Sequence, residues 1–376
     1  MLDNLLDKWH NQFGSSNPAV MVRSPGRVNI IGEHTDYNEG WVLPGAISRA
    51  IYILVSTSEK NHWIASDLDE EYEDQYLRPE ETKPLWVNYI KGTLQLYDVG
   101  DQSFRILIGG DLPMGAGVSA SSSLVCGLLY ALQKIKGGNE TREELALIGS
   151  RVEREMIGLH GGIMDQFAIM LSQDKQAMLL DCRTRKYKFI SAEMPGNKWV
   201  LINTKVRHQL INSDYNSRFD ECNLAVVVIQ KIFPLVKSLR DVTLEMLTQV
   251  KLDDVLFKRS KFVIEENERV HDMVKALETH DLQRAGSLLK MSHEGLRDEY
   301  EVSCEELDHL ADFVNNHDGA YGGRMMGGGF GGCVICLVEE ESIHTFLSEA
   351  RASYLSRFGF DPEVINFELS EGVEYA

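Results

Sequence analysis

Several stretches of the chain bring together residues that can do chemistry at spacings a plain fold does not require. Arg27 stands before an apolar run at 28–31, and Glu33-His34-Thr35-Asp36-Tyr37-Asn38 follows it. Two carboxylates, a histidine and an amide suit ring hydroxyls, each of which donates and accepts. The same residues also describe a solvated loop with local charge pairing. Zinc fits poorly, because one histidine stands among hard ligands and HExxH is absent. A second stretch, Asp111-Leu-Pro-Met-Gly-Ala-Gly-Val-Ser-Ala-Ser-Ser-Ser-Leu124, joins a strand-like run to a buried helix. Glycines let backbone approach a ligand, and the first amides of a helix attract anions, above all phosphate. No Gly-Lys-Ser/Thr closes this loop, so it is not a Walker A sequence. Glu153 lies between Arg151 and Arg154, where it is either a surface charge or a ligand. Asp165 follows Gly161-Gly162 among Ile163, Met164 and Phe167, a setting for a partly desolvated general base or for a helix cap. A last run, Gly327-Gly-Gly-Phe-Gly-Gly332, can hug a ligand or simply turn into a strand.

The elements that must position these residues follow from periodicity. Strands are expected at 19–23, 41–43, 50–56 and 63–66, a helix at 86–96, and a strand (Phe104, Ile106, Ile108) entering the glycine-serine loop. Residues 140–158 read as one helix with Leu145, Ile148, Val152 and Met156 on a single face. Strands are expected at 176–182 and 199–203, then a mostly helical region over 212–316. A strand at 334–337, a helix at 343–358 and a strand at 364–367 close the chain. Strands dominate the first half and helices the middle, which makes an α+β protein of two domains, with the boundary placed at Pro195-Gly-Asn.

Composition narrows the function. A chain of 376 residues with 43% apolar content can build two cores. A formal charge of −19 argues against a nucleic-acid partner, though a local site can still bind a nucleotide. The six cysteines are scattered through apolar segments without the spacing of a disulfide framework or a zinc site. The first residues read as an amphipathic helix start rather than a secretory signal, and no apolar run approaches about 18 residues. The expected location is the cytoplasm, without membrane contact.

Read together, these stretches resemble the galactokinases of the GHMP small-molecule kinase superfamily. The resemblance rests on Gly26-Arg-Val-Asn-Ile-Ile-Gly-Glu-His-Thr-Asp-Tyr-Asn38, Pro113-Met-Gly-Ala-Gly-Val-Ser-Ala-Ser-Ser-Ser123, Gly162-Ile-Met-Asp-Gln166 and Gly327-Gly-Gly-Phe-Gly-Gly-Cys333, in the family's order and across nearly the whole chain. It implies a two-domain α+β fold, residues 1–196 and 197–376, with the active site in the cleft between them. It further implies ATP-dependent phosphorylation of the anomeric hydroxyl of galactose. Asp165 would be the base, with Arg27 assisting. Glu33, His34, Thr35 and Asp36 would form the sugar-binding segment, joined by Gly162 and Tyr215. Gly115, Ala116, Gly117, Val118, Ser119, Ala120 and Ser121 would wrap the ATP phosphates, and Trp86 would contribute to the adenine pocket. Ser121 and Glu153 would hold Mg²⁺. The implied partners are galactose and ATP, and the expected assembly is a monomer or weak oligomer.

The chemistry agrees with those roles. An alcohol is a poor nucleophile until a base takes its proton, and a neighbouring arginine favours the charged form of a carboxylate. Catalysis of phosphoryl transfer is mainly alignment and charge stabilisation. Three positions depart from the family's usual residues: Ala120 for serine, Met326 for threonine and Gly161 for a frequent cysteine. Two other readings stay open: a kinase for a related sugar such as N-acetylgalactosamine, and a non-catalytic galactose sensor.

Overall fold

The structure, a computed structural model, describes residues 1–74, 85–207 and 211–376. Helix α1 (Leu2–Phe13) leads into strands β1 (Val20–Asn29), β2 (Trp41–Val42), β3 (Pro44–Ser58), β4 (Asn61–Ala65) and β5 (Glu70–Asp74). Then come α2 (Leu85–Leu96), β6 (Ser103–Gly110), α3 (Ala120–Lys136), α4 (Arg142–Arg151), α5 (Met164–Leu171), β7 (Gln176–Asp181), β8 (Tyr187–Ser191) and β9 (Asn197–Arg207). Helices α6 (Ile211–Ile229), α7 (Leu244–Thr248), α8 (Asp254–Glu278), α9 (Leu282–Asp298) and α10 (Glu305–Asn315) form the middle. The chain ends with β10 (Ala320–Met326), β11 (Gly331–Glu339), α11 (Ile343–Phe358), β12 (Glu363–Ile365) and β13 (Glu374–Tyr375).

The strands form a six-stranded sheet β13-β1-β3-β6-β4-β5, a four-stranded sheet β10-β11-β9-β12 and a three-stranded sheet β2-β7-β8. Only β4 and β6 pair in parallel among these described strands. One apolar cluster fills the space between the first sheet, α3 and α5, and draws in Met273 and Leu277 of α8 and Leu288 of α9. A second cluster lies between the four-stranded sheet and α6, α8, α10 and α11. The expected boundary, Pro195-Gly-Asn, falls where β9 begins. Residues from Leu369 onward nevertheless return to the first sheet, through a bridge from Ile47 to Leu369 and the pairing of β13 with β1. No described helix is long and apolar enough to cross a membrane.

Two local departures from the expected elements bear on function. The helix expected over 140–158 is α4, opened by a Thr141–Glu144 capping box, and then a π-helical turn at Val152–Ile157. The widened turn, of a kind common at functional sites, places both Val152 and Glu153 inside. The glycine run is the turn of a hairpin between β10 and β11, where only one strand was expected. Gly322-Gly323 hides β10 from a periodicity reading, because glycine is depleted in strands. Its purpose is close packing: a Cβ at Gly322 would collide with the backbone of Gly286 on α9.

Candidate active site

The site is built around Arg27, near the end of β1. Pairing of β1 with β3 shifts register between Pro25 and Arg27. A side chain at Gly26 would strike Leu112 and the Val118 carbonyl, so glycine lets β1 press on the loop before α3. The Arg27 amide donates to Val118 O (3.1 Å). Its guanidinium donates to Gly117 O (2.5 Å) and makes a forked contact with Asp165, Nε to Oδ1 at 2.7 Å and Nη2 to Oδ2 at 3.1 Å. Burial works against the Arg27 charge, but Asp165 and Glu33 carry its pKa above the ordinary range. The Asp165 side chain, at the start of α5, stays 25% exposed, enough to meet a ligand.

The loop before α3 turns through positive φ at Gly115 (73°), Gly117 (75°) and Ser119 (59°). Ala116 and Val118 bury their side chains in the core, so the loop shows backbone at those two positions. Ser119 does not cap α3; its hydroxyl donates to Asp165 instead. The N-terminal amides of α3 therefore remain available to an anion. Ser122 donates to Glu153 Oε1 (2.6 Å), and Ser121, expected to share a metal with Glu153, lies beside the Tyr89 phenol. A helix advances about 100° per residue, so neighbouring serines face different partners. Ala120 packs against the first apolar cluster. Burial, then the charge of Asp165, pushes the Glu153 carboxyl up to about 7. Serine hydroxyls and crowded carboxylates are hard oxygen donors short of positive charge, which fits Mg²⁺.

The segment at 33–36 lies on the other side of Arg27. Glu33 is 2% exposed and accepts from Asn29 Nδ2 (3.0 Å), Arg324 Nη1 (3.1 Å) and the Gly327 amide (2.8 Å). His34 adopts φ 60°, and its Nδ1 meets the Tyr37 hydroxyl at 2.8 Å. Burial, then Arg218, lowers its pKa to about 3, so it is a neutral imidazole able to donate and accept. Thr35 departs from the expected sugar contact: it is fully buried and its hydroxyl lies against the carbonyls of Gly32 (2.8 Å) and Trp41 (2.7 Å). It clasps the turn. Asp36 lies against Gly162, where a Cβ would collide with its carboxylate. Burial, then Asp165, pushes Asp36 up to about 7. Tyr215 joins this group, its ring centroid 5.3 Å from that of His34 and 5.6 Å from that of Tyr37.

The glycine run closes the arrangement. Gly327 turns at φ 85° with its backbone against Gly117 of the loop. Gly161 has open space toward the Tyr215 hydroxyl, and Met326 is buried in the core. Trp86 is half-buried on α2, one turn before Tyr89, and its indole donates to Glu70. Sequence reasoning missed Ser122, Asn29 and Arg324. All three lie within the polar or glycine-rich stretches of the sequence, but nothing in the neighbours of Arg324 marked it as buried.

Comparisons with known proteins fit this geometry. Residues 7–57 match the galactokinase galactose-binding signature, 88–173 the GHMP kinases N terminal domain and 273–355 the GHMP kinases C terminal. Galactokinase from Thermotoga maritima is 38% identical over 358 residues, spanning 94% of this chain and 99% of that protein. The chain belongs to the galactokinase family. Another galactokinase, from Clostridium beijerinckii, is 36% identical and aligns over 98% of both chains. The crystal structure of Lactococcus lactis galactokinase complexed with galactose superimposes with a TM-score of 0.94 at 33% identity, covering all of both chains. A mevalonate kinase shares the fold alone, with a TM-score of 0.67 at 19% identity over 94% of this chain and 100% of the other. The galactokinase signature spans Arg27 and 33–36, and the N-terminal GHMP match spans the glycine-serine loop, Glu153 and Asp165. Tyr215 and Trp86 fall outside all three matched segments.

Proposed function

We infer that this protein transfers the γ-phosphoryl group of ATP to the anomeric hydroxyl of α-D-galactose, giving galactose 1-phosphate and ADP. The observation that carries the reading is the forked Arg27–Asp165 pair, set between the glycine-serine loop and the 33–36 segment. Asp165 takes the proton of the anomeric hydroxyl as it attacks phosphorus. Arg27 holds both Asp165 oxygens and lies within reach of the charge that develops on the transferred group. His34, Asp36, Glu33 and Tyr215 receive the sugar, and Gly162 lets Asp36 approach it. Thr35 supports the turn from behind.

Amides of residues 115–121 and the start of α3 receive the ATP phosphates, and Trp86 stands on the helix that flanks the nucleotide side. Ser121 and Glu153 would hold Mg²⁺, as hard oxygen donors facing the phosphate side. When bound, the ion neutralises phosphate charge during transfer. The alternatives of an amino-sugar kinase and a galactose sensor are separated by one screen: ADP release measured over galactose, glucose, N-acetylgalactosamine and other hexoses, with and without Mg²⁺. Release that needs both galactose and Mg²⁺ is expected. Preference for another sugar, or sugar binding without ADP, would overturn the reading.

A further inference from the structure

Arg324 has no side-chain surface exposed, and three of its four guanidinium hydrogen bonds reach the end of β1 and the sugar segment beyond it. Nε donates to Ile30 O (2.9 Å), Nη2 to Asn29 O, and Nη1 to Glu33 Oε1 (3.1 Å) and Met325 O (2.6 Å). The Glu33 carboxylate has about four acceptor directions. Arg324 and the Gly327 amide occupy two on Oε1, and Asn29 Nδ2 occupies one on Oε2. One direction is left.

We propose that Arg324, with Asn29, is a positioning pair that aims Glu33 so that it offers a single acceptor direction to one sugar hydroxyl. A buried ion pair serving the fold alone could be replaced by packed apolar groups. Here the guanidinium fork ties a strand from the far end of the chain to the sugar segment, and the Gly327 amide ties that segment to the hairpin against the phosphate loop. Lysine carries the same charge but cannot span these acceptors in one plane. The inference rests on the sugar-site assignment above and adds which buried groups set its selectivity.

The test is steady-state kinetics of Arg324→Lys with galactose, glucose and ATP, beside thermal unfolding of the same variant. The galactose KM should rise about tenfold, as for loss of a charge-assisted hydrogen bond, and the preference for galactose over glucose should shrink. The ATP KM should stay within about twofold by the same reasoning, since Arg324 reaches no loop residue. An unchanged galactose KM, or equal rises for galactose and ATP, would overturn the proposal. Should Arg324→Lys fail to fold, Asn29→Ala removes the donor to Oε2 together with an acceptor for the Leu43 amide, which keeps Ile31 O as its partner. It should raise the galactose KM severalfold and leave the ATP KM alone, and an unchanged galactose KM would refute the aiming role. If the unaltered protein neither binds nor turns over galactose, the sugar-site reading falls as well. If it is active but the KM values do not split, only this inference falls.

Discussion

Arg27 and Asp165, separated by 138 positions in the chain, grip each other through both carboxylate oxygens. The pair is formed where β1, the loop before α3 and the start of α5 converge. Its partners link both halves of the proposed reaction: Gly117 and Ser119 on the phosphate side, and Asp36, whose carboxyl feels the Asp165 charge, on the sugar side.

Gly162 is required because Asp36 stands where a side chain would be. Gly162→Ala should push the Asp36 carboxylate aside, raise the galactose KM and cost about 1–3 kcal/mol of stability, the usual range for overpacking. Calorimetric galactose binding and thermal unfolding check both effects. An unchanged galactose affinity would remove Asp36 from the sugar site.

The serines at the start of α3 should divide their labour. Ser122→Ala strips a buried donor from Glu153 and should lower stability by about 1–3 kcal/mol. Ser121→Ala should leave stability nearly unchanged and raise the half-saturating Mg²⁺ concentration severalfold. Denaturant unfolding and Mg²⁺ titration of both variants decide it. The reverse pattern would assign the metal hydroxyl to Ser122.

Asp36 gives a pH dependence with a definite sign. Burial and the Asp165 charge raise its pKa from 3.8 to about 7 in the folded protein. The folded state therefore holds more protons between those values, and its stability from this group is full below about pH 4 and lost as pH rises through 7. Every tenfold difference in proton affinity between the folded and unfolded chain corresponds to about 1.4 kcal/mol. Asp36→Asn should flatten this slope and raise stability above pH 7. Urea unfolding at pH 5, 6, 7 and 8 checks it, and an unaltered slope would show that Asp36 is not the group responsible.

Much of this site was legible in the sequence, and the limits have physical causes. The clusters at Arg27, 33–36, 115–121 and Asp165 announced themselves because polar and glycine-rich residues sit beside apolar runs. The sequence order could not reveal the widened turn at Val152–Ile157, since a π-helical turn depends on packing around Glu153. Ser122 and Ser121 are adjacent serines, and only the start of α3 decides which one faces Glu153. Thr35 looked like a sugar ligand by its neighbours, yet its hydroxyl lies against backbone carbonyls of its own turn. The role of Arg324 was invisible because its acceptors at Asn29, Ile30 and Glu33 lie nearly three hundred positions away. Strand β10 was masked by the glycines that let it lie against α9.

The most direct measurement is the rate of galactose 1-phosphate formation by Asp165→Ala at saturating ATP, galactose and Mg²⁺, beside its calorimetric affinity for galactose. Removing the base while keeping the sugar contacts should slow turnover at least about 10²-fold, as for loss of a general base, with galactose still bound. Near-normal turnover in that folded variant would contradict the account.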